Sequence, residues 1–135
     1  MSTVREVGGL KVSGVLDKLG RKLKKLVDSS QGGIVVAMIV DEEGVPIASV
    51  GEGADALAAC SSTIVGAVSI ALSLLGESGF ETIDVQLPDK SHLMIVSLSH
   101  CYLVLKTSQT PTLGLIRFLL RMYGNEIERL VQGHS

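Results

Sequence analysis

Residues Ala56 to Gly76 read ALAACSSTIVGAVSIALSLLG, a stretch of 21 residues that holds no charged side chain. About 20 consecutive apolar residues are enough for a helix to span a bilayer. Small residues recur all along this stretch, however, and small residues at helical spacing let another helix approach closely. The stretch therefore predicts a buried interface helix, and a membrane-spanning anchor is the alternative.

The composition indicates one domain that buries part of its surface against a partner. At 135 residues the chain has the length of a single domain with its own core. Hydrophobic residues make up 46% of it but aromatic residues only 3%, so the core is expected to be aliphatic. A mean hydropathy of +0.42 is high for a soluble monomer, which suggests that a partner covers apolar surface.

The first half of the chain predicts one helix and a hairpin. Apolar residues at spacings of three and four predict an amphipathic helix from Val12 to Val27. The run from Ile34 to Val40 is continuously apolar and β-branched, which is typical of a strand covered on both faces. Helices are therefore expected on both sides of the sheet. A turn at residues 41–44 leads into a second strand, Val45 to Val50, whose Pro46 favours an edge position.

The second half predicts the uncharged helix, three strands and a final helix. Asp55 is expected to cap the uncharged helix and Gly76 to close it. Alternation around Ile83 and Val85 predicts a half-buried strand, and two more strands follow at residues 92–99 and 101–107. The last helix begins near Leu113. The predicted order is helix, two strands, helix, three strands, helix, an α+β fold.

Motifs for catalysis, cofactors and metals are not found in the sequence. There is no P-loop, GxGxxG, HExxH or GxSxG pattern, so no catalytic residue and no cofactor is predicted. His92, His100 and His134 lack metal-ligand spacing, and no metal site is expected. Cys60 and Cys101 lie in apolar runs outside any CxxC, which predicts two buried, reduced thiols.

Charge is unevenly distributed along the chain. Residues 1–30 carry 7 Lys/Arg against 3 Asp/Glu, whereas residues 31–100 carry 1 against 9. The densest cluster is KLGRKLKK, Lys18 to Lys25. It is either a solvated helix face or a docking surface for an acidic partner or anionic lipid head groups. Nucleic acid is not an expected partner, because the chain lacks both a basic balance and aromatic residues for stacking.

In element order and local sequence the chain resembles the roadblock/dynein light-chain domain family, which includes prokaryotic regulators of Ras-like GTPases. The resemblance covers nearly all of residues 10–131 and rests on four segments, GIVVAMIVDEEGVPIAS at residues 33–49, LAAC at 57–60, the strand pair around LMIVSL and YLVLKT, and LGLIRFLLR at 113–121. It implies an α/β/α sandwich with a five-stranded antiparallel sheet. The terminal helices would cover one face and the middle helix the other. Residues 1–9 and 132–135 are then expected to be a short flexible N-terminal tail and a C-terminal tail.

The resemblance also implies a homodimer in which middle helices pack together and third strands pair edge to edge. The predicted interface residues are Ala59, Thr63, Gly66, Ala67, Ile70, Ser73, Thr82, Ile83, Asp84 and Val85. In the family arrangement the first and last helices share a sheet face. This predicts one positive docking surface for a partner, formed by Lys18, Arg21, Lys22, Lys25, Arg117 and Arg121.

Family members act as scaffolds or GTPase regulators and are not enzymes in their own right. We therefore expect a homodimeric, non-enzymatic module that engages a small Ras-like GTPase. A purely structural scaffold subunit, homo- or heterodimeric, is the alternative, and a membrane-tethered protein is a further one. The polar start MSTVREVGG has no apolar signal region, so a cytoplasmic protein with at most peripheral membrane contact is expected.

Overall fold

A computed structural model of the protein describes residues 6–7 and 10–133, with side chains from Gly14 to Gly133. The predicted order of three helices and five sheet strands is confirmed. The elements are β1 Glu6–Val7, β2 Leu10–Lys11, α1 Val12–Ser29, β3 Ile34–Asp41, β4 Pro46–Val50, α2 Ala54–Leu74, β5 Thr82–Gln86, β6 His92–Ser97, β7 Cys101–Thr107 and α3 Leu113–Val131.

The main sheet is antiparallel in the order β4-β3-β7-β6-β5. Its centre is the pairing of β3 with β7, in which Ala37 lies opposite Leu105 and Ile39 opposite Leu103. Every residue of β3 from Val36 to Val40 is buried, as expected for a strand covered on both faces. β4 and β5 are the edges, and Pro46 begins the edge strand β4, where a missing N–H costs no ladder bond.

Two apolar clusters lie on opposite faces of the sheet. On one face, Leu19, Leu23 and Leu26 of α1 pack with Ile116 and Ile127 of α3. On the other face, Leu57 and Ala58 of α2 pack against residues of β3, β6 and β7, namely Val36, Met38, Val40, Ile95 and Val104. The terminal helices therefore share one face and the middle helix covers the other, which confirms the α/β/α sandwich.

The two ends of α2 differ in how well the sequence predicted them. Asp55 is not the cap of α2: the helix begins at Ala54 after Gly53, whose left-handed φ of 86° turns the chain into it. Asp55 lies in the first turn instead, where a carboxylate favours the positive end of the helix dipole. Gly76 does close α2, as predicted. The Gly76 N–H donates to the Ser73 carbonyl, and the Glu77 N–H donates to the Leu72 carbonyl.

The N-terminal region contains a pairing that the residue pattern did not predict. Glu6–Val7 and Leu10–Lys11 form a two-residue antiparallel ladder directly before α1. Strands this short carry almost no periodicity, so the sequence could not reveal them. Most of the predicted tail at residues 1–9, and residues 134 and 135 of the C-terminal tail, lie outside the described residues.

The turn after β4 yields a test of the fold. Gly51 has a φ of +100°, and a Cβ there would lie 2.5 Å from the Val35 carbonyl oxygen. We expect Gly51→Ala to lower the free energy of unfolding by about 2 kcal/mol or more, because it adds both a backbone strain and a clash. Urea denaturation measures this.

Gly20→Ala is the matched control, since a Cβ at this position in α1 has no heavy atom within 4 Å. It should raise the free energy of unfolding by up to ~1 kcal/mol through helix propensity alone. Equal effects of the two substitutions would contradict the packing described for the β4–α2 connection.

Candidate interaction surfaces

Helix α2 turns most of its surface to solvent although it carries only one charge, Asp55. The residues that face the sheet fall on one stripe that includes Leu57, Ala58 and Ser61, which are its only buried positions. Further along the helix, Ile70 is 68% exposed and Leu74 83% exposed. Exposed aliphatic side chains in such a row mark a surface that another molecule covers.

The six residues of α2 predicted for the dimer interface all lie on this exposed side, and the structure brings them together as one row: Ala59, Thr63, Gly66, Ala67, Ile70 and Ser73. Their polar atoms are already satisfied within the helix. Thr63 Oγ1 donates to the Ala59 carbonyl at 3.1 Å, and Ser73 Oγ donates to the Ser69 carbonyl at 3.0 Å. Removing this row from water would leave neither hydroxyl without a partner.

Strand β5, the other predicted part of the interface, is a free sheet edge. Among the described residues it pairs only with β6, from Thr82 opposite Val96 to Gln86 opposite His92. An edge of this kind presents unpaired N–H and C=O groups to a further strand. Ile83 packs into the α2-side cluster, whereas the side chain of Asp84 turns to the other face, toward α3.

The six predicted docking residues do not form a single surface. Lys22 Nζ lies 2.8 Å from Glu126 Oε1, so it links α1 to α3 instead of facing a partner. Arg117 and Arg121 lie on the opposite flank of α3, along a groove. Lys18, Arg21 and Lys25 are exposed on α1. Glu126 and the two arginines project from different flanks of α3, so Arg117 and Arg121 lie apart from the three exposed cations of α1. A role of these residues in docking a partner stays a prediction.

The groove beside α3 has a volume of about 670 Å³. We call it the α3–β5 groove. α1 and α3 pack against β4, β3 and β7, and the groove runs along the side of α3 that faces β6 and β5. Met94, Val96, Leu98 and Leu120 line it with apolar surface, and its polar lining includes Glu81, Asp84, Arg117, Arg121, Asn125 and Glu128.

One polar cluster at this groove was not predicted from the sequence. Asp84 Oδ1 lies 2.6 Å from His92 Nδ1, and Asp84 Oδ2 lies 3.4 Å from a terminal nitrogen of Arg117. His92 is buried, and its backbone N–H donates to Thr107 Oγ1 at 2.8 Å. The alternation of β5 places Asp84 on the α3 face, but its partners are 8 and 33 residues away, beyond any local pattern. The cluster connects the edge strand to α3.

The two cysteines occupy different environments. Cys101 is buried, as predicted, but Cys60 is exposed on α2, so the prediction of two buried thiols is wrong for Cys60. Cys60 lies between the buried Ala58 and Ser61 but on the side of α2 that faces away from the sheet, so an apolar neighbourhood in sequence does not imply burial. Burial raises the pKa of the Cys101 thiol to about 11, with smaller contributions from Glu128 and Glu42.

Two further findings bear on function. Among residues 6–7 and 10–133, no group of three or more His, Cys, Asp or Glu side chains could hold a metal ion. Helix α2 is long and apolar enough to cross a membrane by length and composition, and only 17% of its apolar window is buried.

Known proteins share both the sequence pattern and the fold of this chain. A sequence model of the Roadblock/LC7 domain matches residues 22–107. No curated protein matches the chain. Solved structures with the same fold include Myxococcus xanthus MglB, at 20% identity and a TM-score of 0.78, with 98% of this chain and 96% of that chain covered.

Two other solved structures are similar. The gliding protein MglB from Thermus thermophilus is 18% identical, with a TM-score of 0.79 and 98% of both chains covered. A Roadblock/LC7 domain from Streptomyces avermitilis is 14% identical, with a TM-score of 0.73, and the match covers 84% of this chain and 97% of that one. At these identities the similarity establishes the fold.

The cysteines provide a test of the two environments. At pH 8 we expect a thiol reagent such as DTNB to modify Cys60 readily and Cys101 only as the protein unfolds, because a buried thiol with a pKa of about 11 holds almost no thiolate. Cys60→Ser should remove the fast phase, and Cys101→Ser should leave it unchanged. A fast phase that survives in Cys60→Ser would contradict the burial of Cys101.

Proposed function

Because the chain belongs to the Roadblock/LC7 family, we propose that it is a homodimeric, non-enzymatic binding module that engages a small Ras-like GTPase. The observation that carries the proposal is the combination of a nearly charge-free, exposed face on α2 with a free edge at β5. Family membership supports the GTPase as partner. A solved structure of MglB, 18% identical, is described as having a tetrameric arrangement, and self-association of such a relative supports the dimer.

The proposed dimer follows from what the protomer leaves uncovered. A second copy would pair its β5 with this β5, which extends the sheet and removes both edges. The same two-fold arrangement would bring the α2 helices side by side. Gly66 offers room for close approach, since a Cβ there meets no heavy atom within 4 Å. Ile70 and Leu74 would lose their contact with water, which favours association.

Two substitutions test this dimer. Gly66→Leu should weaken it by blocking the approach of the helices, and Ile83→Lys should weaken it by placing a charge in a dry interface. We expect the wild type to sediment as a dimer at micromolar concentration and both variants to shift toward monomer. Analytical ultracentrifugation measures the shift.

Gly114→Leu is the matched control, because Gly114 is an exposed helical glycine of α3 at which an added Cβ would have no heavy atom within 4 Å. It adds the same side chain away from α2 and β5 and should leave the dimer intact. A wild type that sediments as a monomer at micromolar concentration would rule out the proposed assembly.

The α3–β5 groove is the proposed contact for the GTPase. It is concave, lined by apolar surface, and has Arg117 and Arg121 along one side. Arg117 is held by Asp84, whereas Arg121 has no carboxylate within 4 Å among the described residues. In the proposed dimer the two grooves would join across β5 on the face opposite α2. A partner there would leave the dimer contact free.

Arg121→Ala tests this contact. We expect it to weaken association with the Ras-like GTPase by at least about fivefold, because arginines in desolvated pockets contribute strongly to protein interfaces. The GTPase is first recovered from the native cells with this protein as bait, and binding is then measured by calorimetry. Lys106→Gln, on the α2 face of β7, is the control and should bind as the wild type does. Equal binding by both variants would show that the groove is not the contact.

The alternatives differ in what they predict for nucleotide turnover and extraction. A purely structural scaffold would bind its partners without altering the rate of GTP hydrolysis by the GTPase. A protein tethered through α2 would need detergent for extraction, whereas the proposed dimer is cytoplasmic and is recovered without it. Ser61 supports the dimer over the tether, because it is buried against the sheet and donates to the Ala58 carbonyl at 3.0 Å.

A further inference from the structure

The layer formed by α1 and α3 is the positively charged side of the molecule. Helix α1 carries five cations and two carboxylates, and α3 carries three arginines and two glutamates. Residues 31–100, which form most of the sheet and α2, carry one lysine against nine acids. Because α1 and α3 lie on the same side of the sheet, the charge that is separated along the sequence is also separated in space.

The two helices run antiparallel, and two contacts define their register. Lys22 of α1 meets Glu126 of α3 at 2.8 Å, and Ser29 Oγ lies 3.4 Å from the hydroxyl of Tyr123. Met122 lies one turn before Glu126 on the same stripe of α3, and Phe118 one turn before that. This stripe of α3 therefore runs from Glu126, which contacts α1, to Phe118 on the solvent-exposed side of the layer.

Two large apolar side chains are exposed on this positive layer. Phe118 is 58% exposed and Met122 40% exposed. The fold does not require them, since the core positions of α3 are held by other residues, among them Ile116, Leu120 and Ile127. We call this surface the basic face and define it by six exposed residues, Lys18, Arg21, Lys25, Phe118, Met122 and Arg129.

The carboxylates near the basic face are mostly neutralised. Glu126 is paired with Lys22, and Asp28 lies 3.5 Å from Lys24. Asp17 is the remaining carboxylate on α1. In contrast, Lys18, Arg21 and Lys25 have no carboxylate within 4 Å among the described residues. The face therefore presents free cations around an apolar centre.

We propose that the basic face docks onto an anionic lipid bilayer as a peripheral membrane contact. Clusters of four to eight Lys and Arg side chains on an amphipathic helix are attracted to the negative surface of such a membrane. Phe118 and Met122 would enter the head-group region, as the apolar residues of interfacial helices do. The pairing of free cations with the exposed apolar side chains of Phe118 and Met122 matches the two layers of an anionic bilayer, its charged head groups and the acyl boundary beneath them.

This proposal does not depend on the GTPase or on the dimer. It uses the geometry of a single protomer, and its tests contain no nucleotide and no second protein. In the proposed dimer, however, both basic faces would point to the same side of the extended sheet. The cations available to a bilayer would then double. Because Ile83→Lys weakens the proposed dimer, this variant should bind vesicles more weakly than the wild type, and its binding should still require anionic lipid.

Vesicle flotation tests the charge requirement. We expect the full chain to float with phosphatidylcholine vesicles that contain about 30% phosphatidylserine, and not with phosphatidylcholine alone. High salt should release it, because exposed charges are screened. The double variant Lys18→Gln, Lys25→Gln should bind roughly 25-fold more weakly, at about fivefold for each cation lost near the membrane.

The double variant Lys90→Gln, Lys106→Gln is the control, because it removes the same number of positive charges at positions away from the basic face. Lys90 lies in the turn between β5 and β6, and Lys106 lies on the α2 side of β7. This variant should bind as the wild type does. The proposal is wrong if low-salt binding to phosphatidylserine vesicles is absent, or if both double variants lose the same affinity.

A fluorescent reporter tests insertion of the apolar centre. The chain contains no tryptophan, so Phe118→Trp introduces a single probe at the basic face. Its emission should shift to shorter wavelength with phosphatidylserine vesicles. Val45→Trp, at a position that is 56% exposed in the β3–β4 turn, should show no shift. If poly-L-glutamate displaces the protein from vesicles and the Phe118→Trp emission never shifts, the face is a site for acidic polypeptides and the membrane proposal is wrong.

Discussion

The burial of β3 on both faces is the constraint on which the rest of the structure depends. A strand with apolar side chains in both directions cannot lie at a solvated surface, and its carbonyl and amide groups need a neighbour on each side. β4 and β7 supply the backbone partners, α1 and α3 cover one face, and α2 covers the other. The layered architecture is the smallest arrangement that removes this strand from water.

The same constraint explains why the sheet is covered unevenly. The helices protect β3 and β7, while β5 at the far edge has one neighbouring strand within the part of the chain that the structure describes, and a groove lies between it and α3. α2 contacts the sheet mainly through its first half and extends beyond it with aliphatic residues in water. An isolated protomer thus has a complete centre and an incomplete edge, and a second copy that pairs along β5 would complete both the sheet and the helix layer.

Much of the fold could be predicted from residue patterns because these report local geometry. The run from Ile34 to Val40 indicated a doubly covered strand, and Gly76 indicated the end of α2, since each depends on a few adjacent residues. The contacts of Asp84 with His92 and Arg117, and of Lys22 with Glu126, join residues far apart in sequence, so no periodicity reveals them. The exposure of Cys60 was missed for a related reason: a helix with almost no charged residues gives no polar stripe in its sequence to show which of its faces turns away from the sheet.

The central claim is that a second copy covers α2 and the edge of β5. Hydrogen exchange measured across a dilution series tests it most directly, because the amides of β5 that do not bond to β6 are protected only if another strand pairs with them. We predict that protection within Thr82–Gln86 and along the second half of α2 rises with protein concentration, while exchange in the central strands β3 and β7 stays constant. Exchange in β5 that is fast and independent of concentration would contradict this claim.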